Sequence, residues 1–299
     1  MRSVEHHWFS VWMIAIRPRT LFAAVCPVIL GTALAMFFGL GNLAAASLAL
    51  IGALAIQISA NLANDYWDAK KGADGPDRLG PARVTSSGLL TPRAVLAGLF
   101  TSMAIACLAG VGLFYRAGWP ILCVGVVSLI LALIYTAGPY PLAYLGLGDI
   151  FTFVFFGLVA TAGTFYVQTL VLVWHVLVLG CVPGLFSVAL IALNNLRDAE
   201  QDRRVNKRTS AVRFGARFAR AEIAFSLLAP ALIPIIFWKV GFYSLWSTGL
   251  CIALALALGI PVVVRLYRLS DMIEINALFP LVGKASLMLS LAMALAFFV

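Results

Sequence analysis

Two short segments rich in aspartate and asparagine contain the side-chain types that bind divalent cations. Residues 61–68 read Asn-Leu-Ala-Asn-Asp-Tyr-Trp-Asp, and residues 194–202 read Asn-Asn-Leu-Arg-Asp-Ala-Glu-Gln-Asp. Together they contain five of the 12 acidic residues in the chain. Each segment ends a long apolar stretch, where a carboxylate is costly and is rarely present without a function.

The spacing within each segment predicts that its polar side chains share one face of a helix. Side chains three or four positions apart are neighbours on a helix surface. The residues with this spacing are Asn61, Asp65 and Asp68, with Asn64 beside them, and Asn195, Asp198 and Asp202. Two such faces opposite each other would form one acidic pocket that requires cations. Asp74 follows the first segment closely, after Gly72, which can end the helix.

A metal site whose ligand atoms are all oxygens, with no histidine or cysteine, favours Mg²⁺ over zinc. Basic residues lie near both acidic segments in the sequence, namely Lys70, Lys71, Arg78, Arg83, Arg203, Lys207 and Arg208. Carboxylates for a metal, together with cations for the outer phosphate oxygens, suit a metal–diphosphate complex. The two segments therefore predict a shared Mg²⁺–diphosphate site.

The composition predicts the elements that must position this site. The 299 residues are 63% hydrophobic and 11% charged, with a mean hydropathy of +1.01, which is typical of a polytopic helical membrane protein. Apolar runs of about 20 residues can cross a bilayer. Nine spans are predicted, near residues 20–38, 43–63, 94–115, 119–136, 149–170, 173–194, 221–238, 242–264 and 277–299.

The distribution of charge predicts the orientation of the chain. All but three of the 21 Lys and Arg residues fall in the N-terminal tail and in every second loop after it, and the acidic residues fall on the same side or at its edge. The positive-inside rule places that side in the cytoplasm. We expect residues 1–299 to form a single membrane domain, with its N-terminus cytoplasmic and its C-terminus outside. The positive-inside rule accounts for the net charge of +9, so this charge does not lead us to expect nucleic-acid binding.

Two further segments are candidates for the site. Residues 135–149 are rich in proline, glycine and tyrosine, so they cannot form a continuous helix, and they could cover the acidic pocket. The alternative is that these tyrosines form an interfacial aromatic belt. Arg17 and Arg19 precede the first span, where they would act at least as positive-inside anchors.

These motifs together resemble the UbiA superfamily of intramembrane aromatic prenyltransferases. The resemblance rests on Asn64-Asp65-Tyr-Trp-Asp68 with Asp74, on Asp198-x-x-x-Asp202, and on the following Lys207-Arg208-Thr209. It extends through nearly the whole chain, including the Arg17-Pro-Arg-Thr segment and residues 135–148. Within the superfamily, the chain most resembles the members that act on 1,4-dihydroxy-2-naphthoate in menaquinone biosynthesis. One departure is Asn206, where relatives usually carry glycine before Lys-Arg-Thr.

The resemblance implies a fold, a reaction and a set of site residues. The fold would be an all-α integral membrane bundle of nine transmembrane helices, with both Asp-rich motifs on the cytoplasmic side of the cell inner membrane. The reaction would transfer a polyprenyl group from polyprenyl diphosphate to dihydroxynaphthoate, with loss of diphosphate and CO₂, giving demethylmenaquinone. Catalytic roles are expected for Asp65, Asp68, Asp74, Asp198 and Asp202, and Mg²⁺ binding for Asn64, Asp65, Asp68, Asn195, Asp198 and Asp202. Diphosphate binding is expected for Lys70, Arg78, Lys207 and Arg208, and acceptor binding for Arg17, Asn61, Tyr135, Tyr140 and Asp149.

Two alternatives remain at this point. A related enzyme could use another aromatic acceptor, such as 4-hydroxybenzoate or homogentisate. A cation-coupled transporter also contains buried acids and repeats, but its site should lie near the middle of the bilayer. Here the acidic residues are predicted to lie at one membrane face.

Overall fold

The computed structural model of the chain describes residues 8–72, 79–138 and 141–299. Within these ranges all regular secondary structure is helical. The α-helices are α1 (Trp8–Ile16), α2 (Phe22–Phe37), α3 (Leu43–Lys70), α4 (Pro92–Ala117), α5 (Trp119–Ile134), α6 (Gly148–Phe153), α7 (Ala160–Thr169), α8 (Trp174–Arg197), α9 (Ala199–Arg204), α10 (Ser210–Leu228), α11 (Ile233–Lys239), α12 (Leu245–Arg268) and α13 (Phe279–Leu295).

Each of the nine predicted spans overlaps a helix, but the count of nine is not confirmed. Seven helical segments of the described chain are long and apolar enough to cross a membrane, and an eighth qualifies if the bent pair formed by α1 and α2 is one span. The remaining apolar helix, α5, has only 16 residues. Large apolar side chains, such as Phe100, Leu108 and Trp246, are exposed on the outside of the bundle. These features make the chain a multi-pass membrane protein.

Several helix boundaries differ from the predicted spans because polar residues extend or cap the helices. Helix α3 begins after Asn42, whose side chain accepts a hydrogen bond from the Ala45 N–H, and it continues past the predicted end at residue 63 to Lys70. Gly72 then adopts a left-handed conformation with φ of 69°, as expected for a helix end. Helix α10 begins at Ser210 rather than near residue 221, with a kink at Gly215.

Helix α8 is the centre of the bundle. In its most apolar stretch of 18 residues, 72% of the residues are buried, compared with 28–44% in the other long segments. It packs closely against a π-helical segment, Val154–Val159, that joins α6 to α7. A Cβ atom added to Gly157 would lie 2.6 Å from the Gly180 carbonyl oxygen and from the Gly184 Cα. Only glycine permits this approach of two backbones, and the close packing holds the N-terminal half of α8 against the segment that leads to α7.

Candidate active site

The first acidic segment forms the last three turns of α3. Asn61, Asp65 and Asp68 are buried, and Asn64 is partly buried beside them. The shared helix face predicted from their spacing is therefore present. Asn61 also ties α3 to the N-terminal segment, because its Nδ2 donates to the Ile16 carbonyl at 2.8 Å and to Thr20 Oγ1 at 2.9 Å.

The second acidic segment lies across a helix break instead of on one continuous helix. Asn195 belongs to α8, Asp198 is the residue between the two helices, and Asp202 belongs to α9. The helical turn nevertheless continues through the break, since the Asp202 N–H donates to the Asp198 carbonyl at 2.8 Å. Asn206 follows with φ of 56°, the left-handed conformation that asparagine tolerates where relatives were expected to carry glycine.

Lys207 lies where the two acidic segments meet. Its Nζ is 3.2 Å from Asp202 Oδ1. Burial by itself would lower the pKa of Lys207, but the charges of Asp202, Asp68 and Asp198 outweigh burial and raise that pKa. Burial raises the pKa of Asp202 to about 6, with Lys207 opposing this rise and Asp198 and Asp68 adding to it. Asp68 from the first segment therefore shares one electrostatic environment with the second segment.

Asp198 is held by its neighbour Arg197, which the sequence analysis did not select. The guanidinium binds both carboxylate oxygens at 2.7 Å, while it also donates to Asn194 Oδ1 and Asn276 Oδ1 at 2.8 Å each. Asn276 in turn donates to the Leu79 carbonyl at 2.8 Å. This buried chain of hydrogen bonds connects the end of α8 to the segments before α13 and after the first acidic motif.

Asp65 binds the backbone of the loop that precedes α4. Its Oδ1 accepts the Thr85 N–H at 2.9 Å and its Oδ2 accepts the Val84 N–H at 3.2 Å, while Arg17 Nη2 lies 3.8 Å from Oδ2. Both carboxylate oxygens are thus engaged by this loop. The structure shows Asp65 as the residue that positions residues 83–85, and its predicted metal-binding role stays a prediction.

The loop held by Asp65 brings Arg83 next to Asp68. Arg83 Nη2 lies 4.0 Å from Asp68 Oδ2, and the Arg83 side chain is only 10% exposed. Arg83 is one of the basic residues near the first acidic segment in the sequence, but it was not predicted to be a site residue. Its distance of 15 positions from Asp68 gave no local signal of the contact.

The segment between α5 and α6 contacts the residues that follow both acidic motifs, and its covering of the pocket stays a prediction. Lys71 Nζ donates to the Thr136 carbonyl at 2.7 Å and lies 4.9 Å from the centre of the Tyr144 ring. On the other side, the Arg208 N–H donates to the Tyr144 carbonyl at 3.1 Å, and Arg213 Nη2 donates to the Leu145 carbonyl at 2.7 Å.

Asp149 contacts a residue of the second segment. Its Oδ1 accepts a hydrogen bond from Asn195 Nδ2 at 3.2 Å. This bond uses the amide nitrogen of the Asn195 side chain and leaves its Oδ1 for another partner. Tyr135 is near the same place, because a Cβ atom added to Gly148 would lie 2.8 Å from its hydroxyl oxygen. Two predicted acceptor-binding residues therefore border the acidic segments.

Two of the predicted diphosphate ligands, Lys70 and Arg208, are not buried with the acidic residues. The Lys70 side chain is exposed and lies over the Trp67 ring at 5.1 Å, and the Arg208 side chain is exposed as well. Helical spacing explains Lys70, since it follows Asp68 by only two positions and so points away from that face. Asp74, Arg78 and Tyr140, which were predicted to belong to the site, lie outside the described residues.

The donor atoms at the site suit Mg²⁺, although no three His, Cys, Asp or Glu side chains of the described ranges already form a metal-binding group. Asn64 Oδ1 and Asp202 Oδ2 are buried oxygens that have no hydrogen-bond partner within those ranges. A buried oxygen of this kind is costly unless something pairs with it. Oxygen donors next to buried carboxylates are the ligand type that Mg²⁺ prefers.

An apolar cavity of about 320 Å³ begins at this site and extends into the bundle. Arg17, Asn61, Asn64, Tyr135 and Asn194 line its polar end. Along α3 the lining continues from Asn64 to Ala49, a distance of about 22 Å at 1.5 Å per residue. A polar entrance and a long apolar interior suit a ligand with a charged head and a hydrocarbon tail.

Comparison with known proteins agrees with this geometry. Residues 24–295 match the UbiA prenyltransferase family. The chain is 38% identical over 244 residues to 1,4-dihydroxy-2-naphthoate octaprenyltransferase of Escherichia coli, covering 80% of this chain and 79% of the relative. It is 42% identical over 207 residues to the Mycobacterium tuberculosis protein of the same name, covering 69% and 70%.

The fold is also similar to that of a solved UbiA homologue from Archaeoglobus fulgidus bound to GPP and Mg²⁺. The TM-score is 0.67 with 13% sequence identity, covering 97% of this chain and all of the homologue. None of these similarities supports the transporter alternative. The match over most of its length shows that the chain belongs to the UbiA prenyltransferase family.

Proposed function

We propose that this protein transfers a polyprenyl group from polyprenyl diphosphate to 1,4-dihydroxy-2-naphthoate, with loss of diphosphate and CO₂, giving demethylmenaquinone in its reduced quinol form. The observation that supports this most directly is that Asn61, Asn64 and Asn194 of the two acidic motifs line the polar end of a long apolar cavity, while Lys207 pairs with Asp202 of the second motif. The relatives at 38% and 42% identity carry the name of this activity.

The donor diphosphate would bind at the polar end of the cavity. Lys207 and Arg83 offer cations there, beside Asp202 and Asp68. We propose that Asn64, Asp68, Asn195, Asp198 and Asp202 hold Mg²⁺, with Asp65 and Asp74 as further predicted members of the set. Bound Mg²⁺ would supply Lewis-acid stabilisation of charge on the departing diphosphate.

The prenyl tail would lie in the apolar cavity, which shields the reaction from water. When the carbon–oxygen bond to diphosphate breaks, the electron pair leaves with the diphosphate, and Lys207 and Arg83 stabilise the charge that develops there. The remaining allylic cation is attacked by the electron-rich naphthoate ring, and the ring carboxylate leaves as CO₂. Exclusion of water prevents capture of the cation as a prenyl alcohol.

The acceptor would lie between the donor head and the segment that joins α5 to α6. Tyr135 and Arg17 line the polar end of the cavity, and Arg17 offers a guanidinium for the naphthoate carboxylate. Asn61 and Asp149 border the same region and complete the described part of the proposed acceptor site. Tyr140 remains a predicted member.

We further propose that the chain crosses the cell inner membrane nine times with the active site facing the cytoplasm. The distribution of Lys and Arg supports this orientation, since the two acidic motifs lie on the side that carries most of the positive charge. The short helix α5 and the bent α1–α2 pair would supply the two spans beyond the seven long helical segments.

The reaction can be tested with purified protein in lipid, given Mg²⁺, octaprenyl diphosphate and a panel of aromatic acids. We expect mass spectrometry to detect prenylated, decarboxylated naphthoate, and we expect chelation of Mg²⁺ to abolish the product until Mg²⁺ is restored. Transfer to 4-hydroxybenzoate or homogentisate but not to dihydroxynaphthoate would contradict the proposed acceptor. Undiminished activity after chelation would contradict the metal site.

A further inference from the structure

Two glycines on neighbouring helices, Gly110 and Gly125, line the inner half of the apolar cavity. Along α4 the lining residues are Ala106, Gly110 and Leu113, which follow one another at helical spacing on a single face. Along α5, Gly125 lies on the face that also carries Ile121 and Ser128. Side chains at these two glycine positions would therefore project toward the cavity.

Both glycines border empty space rather than a packed neighbour. A Cβ atom added to Gly110 or to Gly125 would have no heavy atom within 4 Å. By contrast, a Cβ atom added to Gly157 or Gly184 would collide with the neighbouring backbone or side chain. Close helix packing thus explains Gly157 and Gly184, but it does not explain Gly110 and Gly125.

The two glycines lie well inside the cavity. Gly125 is ten residues from Tyr135, which corresponds to about 15 Å along α5. Gly110 is level with Gly52 on α3, because a Cβ atom at Gly52 would lie 3.7 Å from the Cβ of the adjacent Ala109. Gly52 is 12 residues from Asn64, or about 18 Å along its helix.

We infer that Gly110 and Gly125 determine the length of the prenyl tail that the cavity admits. This inference rests on the proposed function, since it assumes that the tail enters from the polar end. A short tail would end before these positions, whereas a long tail must extend past them. The absence of side chains keeps that path open, so the site would favour long donors.

The test compares a long donor with a short one in the same reaction. Octaprenyl and geranyl diphosphate compete for wild-type protein, Gly110→Leu or Gly125→Leu, with dihydroxynaphthoate as acceptor, and mass spectrometry measures the ratio of the two products. That ratio reports relative kcat/KM and does not depend on the amount of folded protein. We expect each leucine to lower the long-to-short ratio about tenfold or more, because one added methylene can change selectivity in an apolar pocket by that amount.

Gly249→Leu is the matched control. Gly249 is on α12, exposed and with no heavy atom within 4 Å of an added Cβ, but it does not line the cavity. We expect its product ratio to equal that of the wild type. Alanine at positions 110 and 125 should shift the ratio in the same direction by less, which keeps the test valid if leucine prevents assembly.

A wild-type product ratio in the leucine and alanine variants at both positions would overturn the inference. A wild-type protein that makes neither product would instead contradict the proposed function. The two failures are therefore distinguishable in one assay.

Discussion

At the scale of residues, each described aspartate of the two motifs lies within 4.0 Å of a basic side chain. Asp202 has its pKa raised to about 6, mainly by burial, with Asp198 and Asp68 adding to the rise. Because this value lies above that of the unfolded chain, the contribution of Asp202 to stability is greatest at low pH and is lost as pH rises through about 6. At neutral pH the folded protein carries an ionised carboxylate that favours a cation, and Lys207 supplies one.

The role of Lys207 can be tested by removing its charge. We expect Lys207→Met to lower kcat/KM for the donor about a hundredfold, since a cation aimed at developing charge is worth roughly that much. Steady-state kinetics with varied polyprenyl diphosphate measures the effect. Arg203→Met is the control, because Arg203 carries the same charge nearby but is exposed. Equal losses in the two variants would show that only net charge matters.

The role of Asp65 can be tested through the loop that it holds. Hydrogen bonds to a charged group contribute about 1.5–3 kcal/mol each, and Asp65 accepts two from the Val84 and Thr85 N–H groups. We expect Asp65→Ala to free this loop, so that trypsin cleaves after Arg83 at least about tenfold faster and prenyl transfer is lost. Limited proteolysis with mass spectrometry measures the cleavage.

Glu274→Ala is the control for that experiment, since Glu274 is an exposed acid outside the site. An unchanged cleavage rate after Arg83 in Asp65→Ala would mean that the two backbone hydrogen bonds do not hold the loop. Loss of transfer with unchanged cleavage would favour the metal-binding role predicted from the sequence.

At the scale of elements, the segment between α5 and α6 connects the two motifs through hydrogen bonds with residues that follow each of them. Gly146 has φ of 69°, and a Cβ atom there would lie 2.6 Å from the Arg208 carbonyl oxygen. Glycine is thus required for two reasons, the left-handed backbone and the close contact with the loop that carries Lys207. Any side chain at this position would push the two loops apart.

We expect Gly146→Ala to lower the Tm and to reduce prenyl transfer strongly, because backbone strain and displacement of the 205–209 loop act together. The matched variant is Gly241→Ala, which has φ of 79° but no heavy atom near the added Cβ, far along the chain from either motif. Its strain should cost about 1–3 kcal/mol of stability and leave transfer by the folded protein intact. Thermal unfolding and transfer assays separate the two effects, and equal transfer in both variants would contradict this connecting role.

At the scale of the whole molecule, the bundle separates a polar end from an apolar interior. The acidic motifs, Lys207 and the loop after α5 lie together, and the cavity leads away from them into the bundle. The outside presents large exposed apolar side chains that suit lipid contact. A donor with a charged head and a long tail can therefore bind with each part in a suitable environment.

The proposed orientation predicts which loops a membrane-impermeant thiol reagent can reach. In a protein whose five native cysteines are replaced, Ser87→Cys should react only from the cytoplasmic side and Val171→Cys only from the outside. Both positions are exposed in loops at opposite ends of long helices. Labelling of intact spheroplasts compared with inverted vesicles measures this, and labelling of Ser87→Cys from outside would overturn the orientation.

The sequence by itself determined the helical membrane class, the two acidic motifs and the shared helix face of the first motif, because these depend on composition and on spacing within one helix. The helix break at Asp198 in the second motif did not follow from spacing. The sequence also indicated the need for a left-handed residue at Asn206 and a helix end near Gly72, both of which the structure confirms. Local spacing is enough for such features, since each depends on neighbours only a few residues away.

Only the tertiary structure decided which charges meet. Arg83 reaches Asp68, and Arg197 connects Asp198 with Asn276. These outcomes depend on how loops far apart in sequence pack on the bundle, and charge pattern alone does not encode that packing. The cavity and its glycines likewise became visible only in three dimensions, because an empty space is formed by several helices together and by no single segment.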